Sequence, residues 1–153
     1  SSQAFDYMER IHRMAAKDER IIMTDFVQGQ VLEELYANAY AFVLPSDVEG
    51  MALTLLEAMS YGDCCLVSDI RENTEVVEDK ALTFKKGDVK DLSRQLVWML
   101  EHPDEVRRMG EESVDYICGK YDWDDVTRRT LAVYKKAAGR KCLQEKEQRA
   151  ETR

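Results

Sequence analysis

One transition narrows the fold more than any other feature of this chain. An apolar run, Ala41-Phe42-Val43-Leu44, is closed by Pro45, and a few residues later strong helix formers begin at Ala52. Such a run predicts a short buried strand that ends where proline cannot continue a ladder. Leu53, Leu56 and Met59/Ser60 then recur at helical spacing, and Gly62 stands where a helix stops. The connecting loop, Ser46-Asp47-Val48-Glu49-Gly50-Met51, therefore leaves a strand and enters a helix, which in an open parallel sheet is the ligand side.

Helix starts at that edge attract anions. The N–H groups of Gly50, Met51, Ala52, Leu53 and Thr54, with Gly50 allowing close backbone approach, offer a seat for a diphosphate. Glu57 rides inside the helix, about two turns on at roughly 3.6 residues per turn, and is placed to accept hydrogen bonds from ribose hydroxyls. Glu49 precedes the helix and is placed to face a sugar. The plain alternative is that both glutamates serve only solvation and the helix dipole.

The wider pattern alternates strands and helices. Phe5, Met8, Ile11 and Ala15 mark an opening helix, and Ile21-Ile22-Met23 predicts a strand. A helix over 30–39 turns Val31, Leu32, Leu35 and Tyr36 inward, and strands follow at 41–44 and 65–67. This βαβαβ rhythm predicts an α/β fold with a Rossmann-like parallel sheet and flanking helices. Residues 71–79 read as a loop with a short helical turn before a brief strand at 82–84. Gly87-Asp88 caps the next helix, striped by Val89, Leu92, Leu96 and Met99/Leu100. Pro103 suits the first turn of another, striped by Val106, Met109, Val114 and Ile117. A last helix from about Asp122 into the 130s carries Trp123, Val126, Thr130, Leu131 and Tyr134 on one face. Ordered packing is expected to end at Gly139, giving a domain over 1–138 and a charged tail over 139–153.

With the element order in hand, the motifs resemble a known family. Glu49-x7-Glu57 followed by Ala58-Met59-Ser60-Tyr61-Gly62 resembles the Glu-x7-Glu motif of family 4 retaining glycosyltransferases, in the carboxy-terminal donor-binding domain of the GT-B fold. Residues 20–27, 41–46, 65–69 and 121–123 fall in the family's order. The resemblance implies transfer of a hexose from a UDP- or GDP-sugar to a glycan or lipid-linked acceptor, without a metal or other cofactor. It makes Glu49 the catalytic carboxylate, seats the diphosphate on residues 50–54, gives ribose to Glu57, and places Phe26 and Val27 beside the nucleobase. Phe26 packed beneath its loop as core is the alternative. The family's opening glycine-rich strand and loop, with their Arg and Lys, are not matched, so the sheet is expected to be incomplete at the amino end. In the 3-2-1-4-5-6 order of such sheets the 21–23 strand would then be separated from 41–44. Its partner is expected to be an amino-terminal half or another copy of the chain. The rival reading is a non-catalytic module of the same fold that binds a partner or self-associates.

Composition removes other classes. The 153 residues are 44% hydrophobic with two prolines, which fits one packed domain. A net charge of -8, with the basic excess confined to 135–153, argues against nucleic-acid binding. No long apolar span or signal-like start is present, so membrane contact is expected to be peripheral at most. Cys64, Cys65, Cys118 and Cys142 form no CxxC pair, which fits a reducing, cytoplasmic setting with Cys64 and Cys65 in the core. Asp122-Trp123-Asp124 matches a metal-binding Asp-x-Asp pattern in form, but Asp122 sits where a helix cap belongs. His12 and His102 lack partners in sequence and read as structural.

Overall fold

A computed structural model of the chain describes the backbone of residues 2–151 and the side-chain burial of residues 5–139. It divides into two compact units, Ser1–Leu35 and Tyr36–Arg153. The first holds α1 (Ser2–Ala15) and most of α2 (Gln30–Ala37). Ala15 and Tyr36 are buried, whereas Phe5, Met8, Val31 and Leu35 are exposed.

The expected strand at 21–23 does not form. Ile21, Ile22 and Met23 are 51%, 80% and 38% exposed, and the Ile21 amide closes a turn onto the Asp18 carbonyl at 3.0 Å. A strand exists only through pairing, and this segment has no ladder neighbour among the described residues.

The second unit is built on three parallel strands, β1 (Phe42–Leu44), β2 (Cys65–Ser68) and β3 (Leu82–Phe84), in that spatial order. Phe42, Val43 and Leu44 face Cys65, Leu66 and Val67, while Leu66, Val67 and Ser68 face Leu82, Thr83 and Phe84. Every residue of β2 is buried. The helix α3 (Leu53–Tyr61) carries the chain from β1 to β2, and α4 (Arg71–Val77) carries it from β2 to β3. Residues 71–77 thus form a full short helix where a loop with a short helical turn was expected. Ile70, Asn73, Val76 and Val77 bury one side of it, which local propensity does not reveal.

On one side of the sheet Cys64, Leu66 and Phe84 pack with Met99 and Val106. Met99 belongs to α5 (Val89–Glu101), started by Asp88, whose carboxylate accepts from the Lys90 and Asp91 amides. Val106 belongs to α6 (Pro103–Lys120), with Pro103 in its first turn. His102, between them, stacks on Trp98 and makes a 2.8 Å contact from Nδ1 to the Trp98 carbonyl, a structural role.

The buried face of α3 is Leu55, Ala58 and Met59; of the residues at the expected spacing Met59 is buried and Leu56 half-buried, whereas Leu53 is 58% exposed and Ser60 is exposed. What fixes that rotation is the contact with α6. Gly62 ends α3 in the left-handed region, φ 88°, and its carbonyl lies where a side chain on Gly110 would have to go. Ser113, one turn on, donates to the Met59 carbonyl at 3.0 Å. Lys120, at the end of α6, donates to the Glu75 carbonyl and to Glu78, closing the end of α4.

The last helix, α7 (Trp123–Glu151), continues through Gly139 without a break. Asp122 caps it, accepting from the Asp124 and Asp125 amides at 3.0 and 3.3 Å, so the Asp-x-Asp look-alike is a helix start. Its apolar face is not buried: Trp123, Val126, Leu131 and Tyr134 are all exposed. The side chain of Cys142 lies outside the described residues. Cys64 and Cys65 are buried as expected, and Cys118 is exposed.

Two stability tests follow from this packing. A Cβ on Gly110 would stand 2.1 Å from the Gly62 carbonyl oxygen, whereas one on Gly119 meets nothing within 4 Å. Gly110→Ala should therefore cost about 2 kcal/mol in urea unfolding, and Gly119→Ala on the same helix should cost nothing. Equal midpoints for the two variants would refute the close approach. Asp63 is 4% exposed, its Oδ2 has no hydrogen-bond partner, and burial raises its pKa from 3.8 to about 6. The folded state then binds the proton more tightly than the unfolded chain, so stability should fall as pH rises from about 4 to about 6 and level off above. Asp63→Asn should remove that decline; an identical slope in the variant would show that the carboxyl is not its source.

Candidate active site at the carboxyl edge of the sheet

The three strands end side by side, and the loops that leave them are tied together. After β1 comes the loop carrying Ser46, Asp47 and Glu49. The Ser46 hydroxyl donates to Glu49 Oε1 at 2.5 Å, a charge-assisted bond that holds one oxygen of the half-buried carboxylate. At the end of β2 the Ser68 hydroxyl donates to the Ser46 carbonyl at 2.6 Å. Asn73, fully buried in α4, donates from Nδ2 to both the carbonyl and the hydroxyl of Ser68, at 3.3 and 3.2 Å.

A second set of bonds joins the outer loops. Past β3, the Lys86 amide donates to Asp69 Oδ1 at 2.7 Å, and the Asp69 amide to the Phe84 carbonyl at 2.9 Å. Lys86 Nζ reaches across to the Asp47 carbonyl at 2.8 Å and lies 3.9 Å from its carboxylate. With side chains 47% and 80% exposed, that ion pair adds at most about 1 kcal/mol; its role is to place the loop.

The start of α3 is left uncapped. Ala52 has no side chain to offer, and the Leu55 and Leu56 amides already turn back to its carbonyl. The amides of Leu53 and Thr54 donate to no group among the described residues. Together with those of Gly50, Met51 and Ala52 they form a run of donors at the positive end of a helix. That arrangement suits an anion with several oxygens.

Glu57 stands about 6 Å further along the axis, at roughly 1.5 Å per residue. It is exposed, and the Tyr36 hydroxyl sits 3.4 Å from its Oε2 and 3.5 Å from the Thr54 carbonyl. Tyr36 is 8% exposed and stacked on Tyr61 at 5.6 Å. Burial first, and then the Glu57 charge, push its pKa to about 12, so it stays a neutral donor at any ordinary pH. Glu57 thereby keeps one defined donor and an exposed carboxylate suited to a pair of vicinal hydroxyls.

Glu49, residues 50–54 and Glu57 thus share one loop and the helix it opens, as expected. Phe26 and Val27 belong to the Ser1–Leu35 unit; Phe26 is 84% exposed there, which excludes its being core, and Val27 is half-buried. Tyr36 was read only as an inward residue of its helix, and Ser68, Asn73 and Lys86 were not singled out as site residues. Ser68 and Lys86 carried a usable signal, because each stands at or just past the end of an apolar strand. Nothing local marks Asn73, and helical spacing marks Tyr36 as inward without revealing its partners Thr54 and Glu57 across the fold.

Comparison with known proteins bears on the family and the fold. Residues 4–115 match the family model described as "Glycosyl transferases group 1". The chain is 33% identical over 110 residues to an O-antigen chain mannosyltransferase B of Escherichia coli, covering 72% of this chain and 29% of that protein. It is also 33% identical over 117 residues to an MMP alpha-(1->4)-mannosyltransferase of Mycolicibacterium hassiacum, covering 74% and 28%. The chain therefore spans less than a third of the length of either relative. Among solved structures, sucrose-phosphate synthase from Thermosynechococcus elongatus superposes with a TM-score of 0.76 at 20% identity, over 86% of this chain and 34% of that one. The parallel sheet with its flanking helices is thus the fold of the GT-B glycosyltransferases. With the family model covering most of its length, the chain belongs to the glycosyl transferases of group 1.

Proposed function

We propose that this chain is the donor-binding part of a retaining glycosyltransferase that moves a hexose from a nucleotide-diphosphate sugar to a glycan or lipid-linked acceptor. The observation that carries the reading is the uncapped start of α3 flanked by two carboxylates, Glu49 before it and Glu57 within it. The amides of residues 50–54 hold the diphosphate, and they stabilise the charge that grows on it as the glycosidic bond to the leaving phosphate breaks. Glu57 accepts the ribose hydroxyls. Glu49 faces the sugar, orienting it and stabilising positive charge at the anomeric carbon. Phe26 and Val27 border the base. The donor seat needs no metal or other cofactor, since backbone amides neutralise the phosphates.

Mannose is the favoured sugar, because the two relatives above are both mannosyltransferases. GDP or UDP supplies the nucleotide. The acceptor is held by a separate part, supplied as an amino-terminal half or by a second copy, and the reaction takes place in the cytoplasm. Among the described residues no helix is long and apolar enough to cross a membrane. A second reading, an assembly module without turnover, draws support from the uncovered apolar face of α7.

Calorimetric titration with GDP, UDP, GDP-mannose and UDP-glucose tests the donor role. Glu57→Gln should weaken nucleotide affinity about 10-fold, the value of one charge-assisted hydrogen bond; undiminished affinity would remove Glu57 from the site. Mixing the chain with the amino-terminal half of a mannosyltransferase relative should restore transfer. Glu49→Gln in that mixture should lower kcat by about 100-fold with little change in KM. Stable association without transfer would favour the assembly module.

A further inference from the structure

The geometry points to Ser46, Ser68 and Asn73 as a positioning relay that sets the direction of the Glu49 carboxylate, an inference that rests on the proposed donor role of Glu49. The order of donation runs one way. The Asn73 amide group occupies both the carbonyl and a hydroxyl lone pair of Ser68. With that lone pair taken, the Ser68 hydroxyl proton turns to the Ser46 carbonyl, at 2.6 Å. The Ser46 backbone is fixed in turn, and its own single hydroxyl proton goes to Glu49 Oε1 at 2.5 Å. One oxygen of Glu49 is thereby pinned, and Oε2 has no hydrogen-bond partner among the described residues. A carboxylate held by one oxygen with the other free is suited to a sugar hydroxyl or to a developing cation.

The cost of this arrangement argues against a merely structural strut. Asn73 is 0% exposed, and its Oδ1 has no partner. An orphaned buried carbonyl destabilises by about 1–3 kcal/mol, whereas an apolar side chain of similar size would fill the same space without that loss. Ser68 is 1% exposed at the end of a strand whose other three residues are all apolar. The Asn73 amide group has its protons aimed at Ser68, and Ser68 has its own aimed at the loop that carries Glu49. Neither residue is near it in sequence, and neither touches it directly, so both act through Ser46.

The test separates positioning from packing by comparing each nucleotide with its sugar conjugate. Calorimetry on the unsubstituted chain gives the gain in affinity of GDP-mannose over GDP and of UDP-glucose over UDP. Ser46→Ala, Ser68→Ala and Asn73→Leu should each cut that gain about 5-fold, with affinity for the bare nucleotide falling far less. Ser46→Thr, which keeps the hydroxyl, should restore it. Asn73→Leu should also unfold at the same or a higher urea concentration, an outcome that a structural role would not give. An unchanged gain in all three variants overturns the relay while leaving the donor reading intact. If none of the four compounds binds the unsubstituted chain, the donor reading fails, and the Glu49 Cδ resonance of 13C-labelled chain decides the relay. A shift of that resonance in Ser68→Ala and Asn73→Leu upholds it, and an unmoved resonance overturns it.

Discussion

A parallel strand buried on both faces cannot end in apolar surroundings, because its last polar groups need partners that water cannot supply. β2 is such a strand, and the rest of the site depends on how it ends. Ser68 closes it with a hydroxyl that serves the loop after β1 and accepts from the helix after β2. Asp69, the next residue, takes the amide of Lys86 from the loop after β3. The termination of one central strand therefore holds all three carboxyl-edge loops in a common frame, with few long side chains involved.

The helix that opens from this frame is held at its far end. Gly62 and Gly110 bring the backbones of α3 and α6 into contact, and Ser113 adds a second donor to the Met59 carbonyl that the Gly62 amide already bonds. The near end is left without a protein cap, and its amides and dipole stay available to an external anion. That division suits a chain with a net charge of -8. Attraction for a diphosphate comes from oriented backbone groups, while the nearby cation, Lys86, is already engaged with Asp47.

Membership in the group 1 glycosyl transferases rests on the same residues that organise the fold. The strand, loop and helix around Glu49 and Glu57 are at once the sheet's edge, the start of its first crossover and the seat of the proposed chemistry. Tyr36 links these roles, since its hydroxyl touches both the Thr54 carbonyl and Glu57 while its ring stacks in the core. Along α7, Trp123, Val126, Leu131, Val133 and Tyr134 stay exposed.

Sequence by itself determined whatever depends on near neighbours. The alternation of strand and helix over 41–68 and again over 82–120 was legible in apolar periodicity. So were the helix starts at Asp88, Pro103 and Asp122 and the stop at Gly62, because a cap is satisfied within four residues. That Glu49 and Glu57 share one loop and the helix it opens was legible, because a single local stretch carries both. Tertiary structure decided whatever needs a partner from afar. Ile21-Ile22-Met23 has strand composition but no ladder neighbour among the described residues. The inward side of α3 is set by Gly110 and Ser113 on another helix. The hydrogen bonds from Asn73 through Ser68 to Ser46 join residues whose spacing carries no periodic signal. Local propensity is a property of adjacent residues, whereas burial and polar satisfaction are properties of the packed chain; the second pair governs how the site is held.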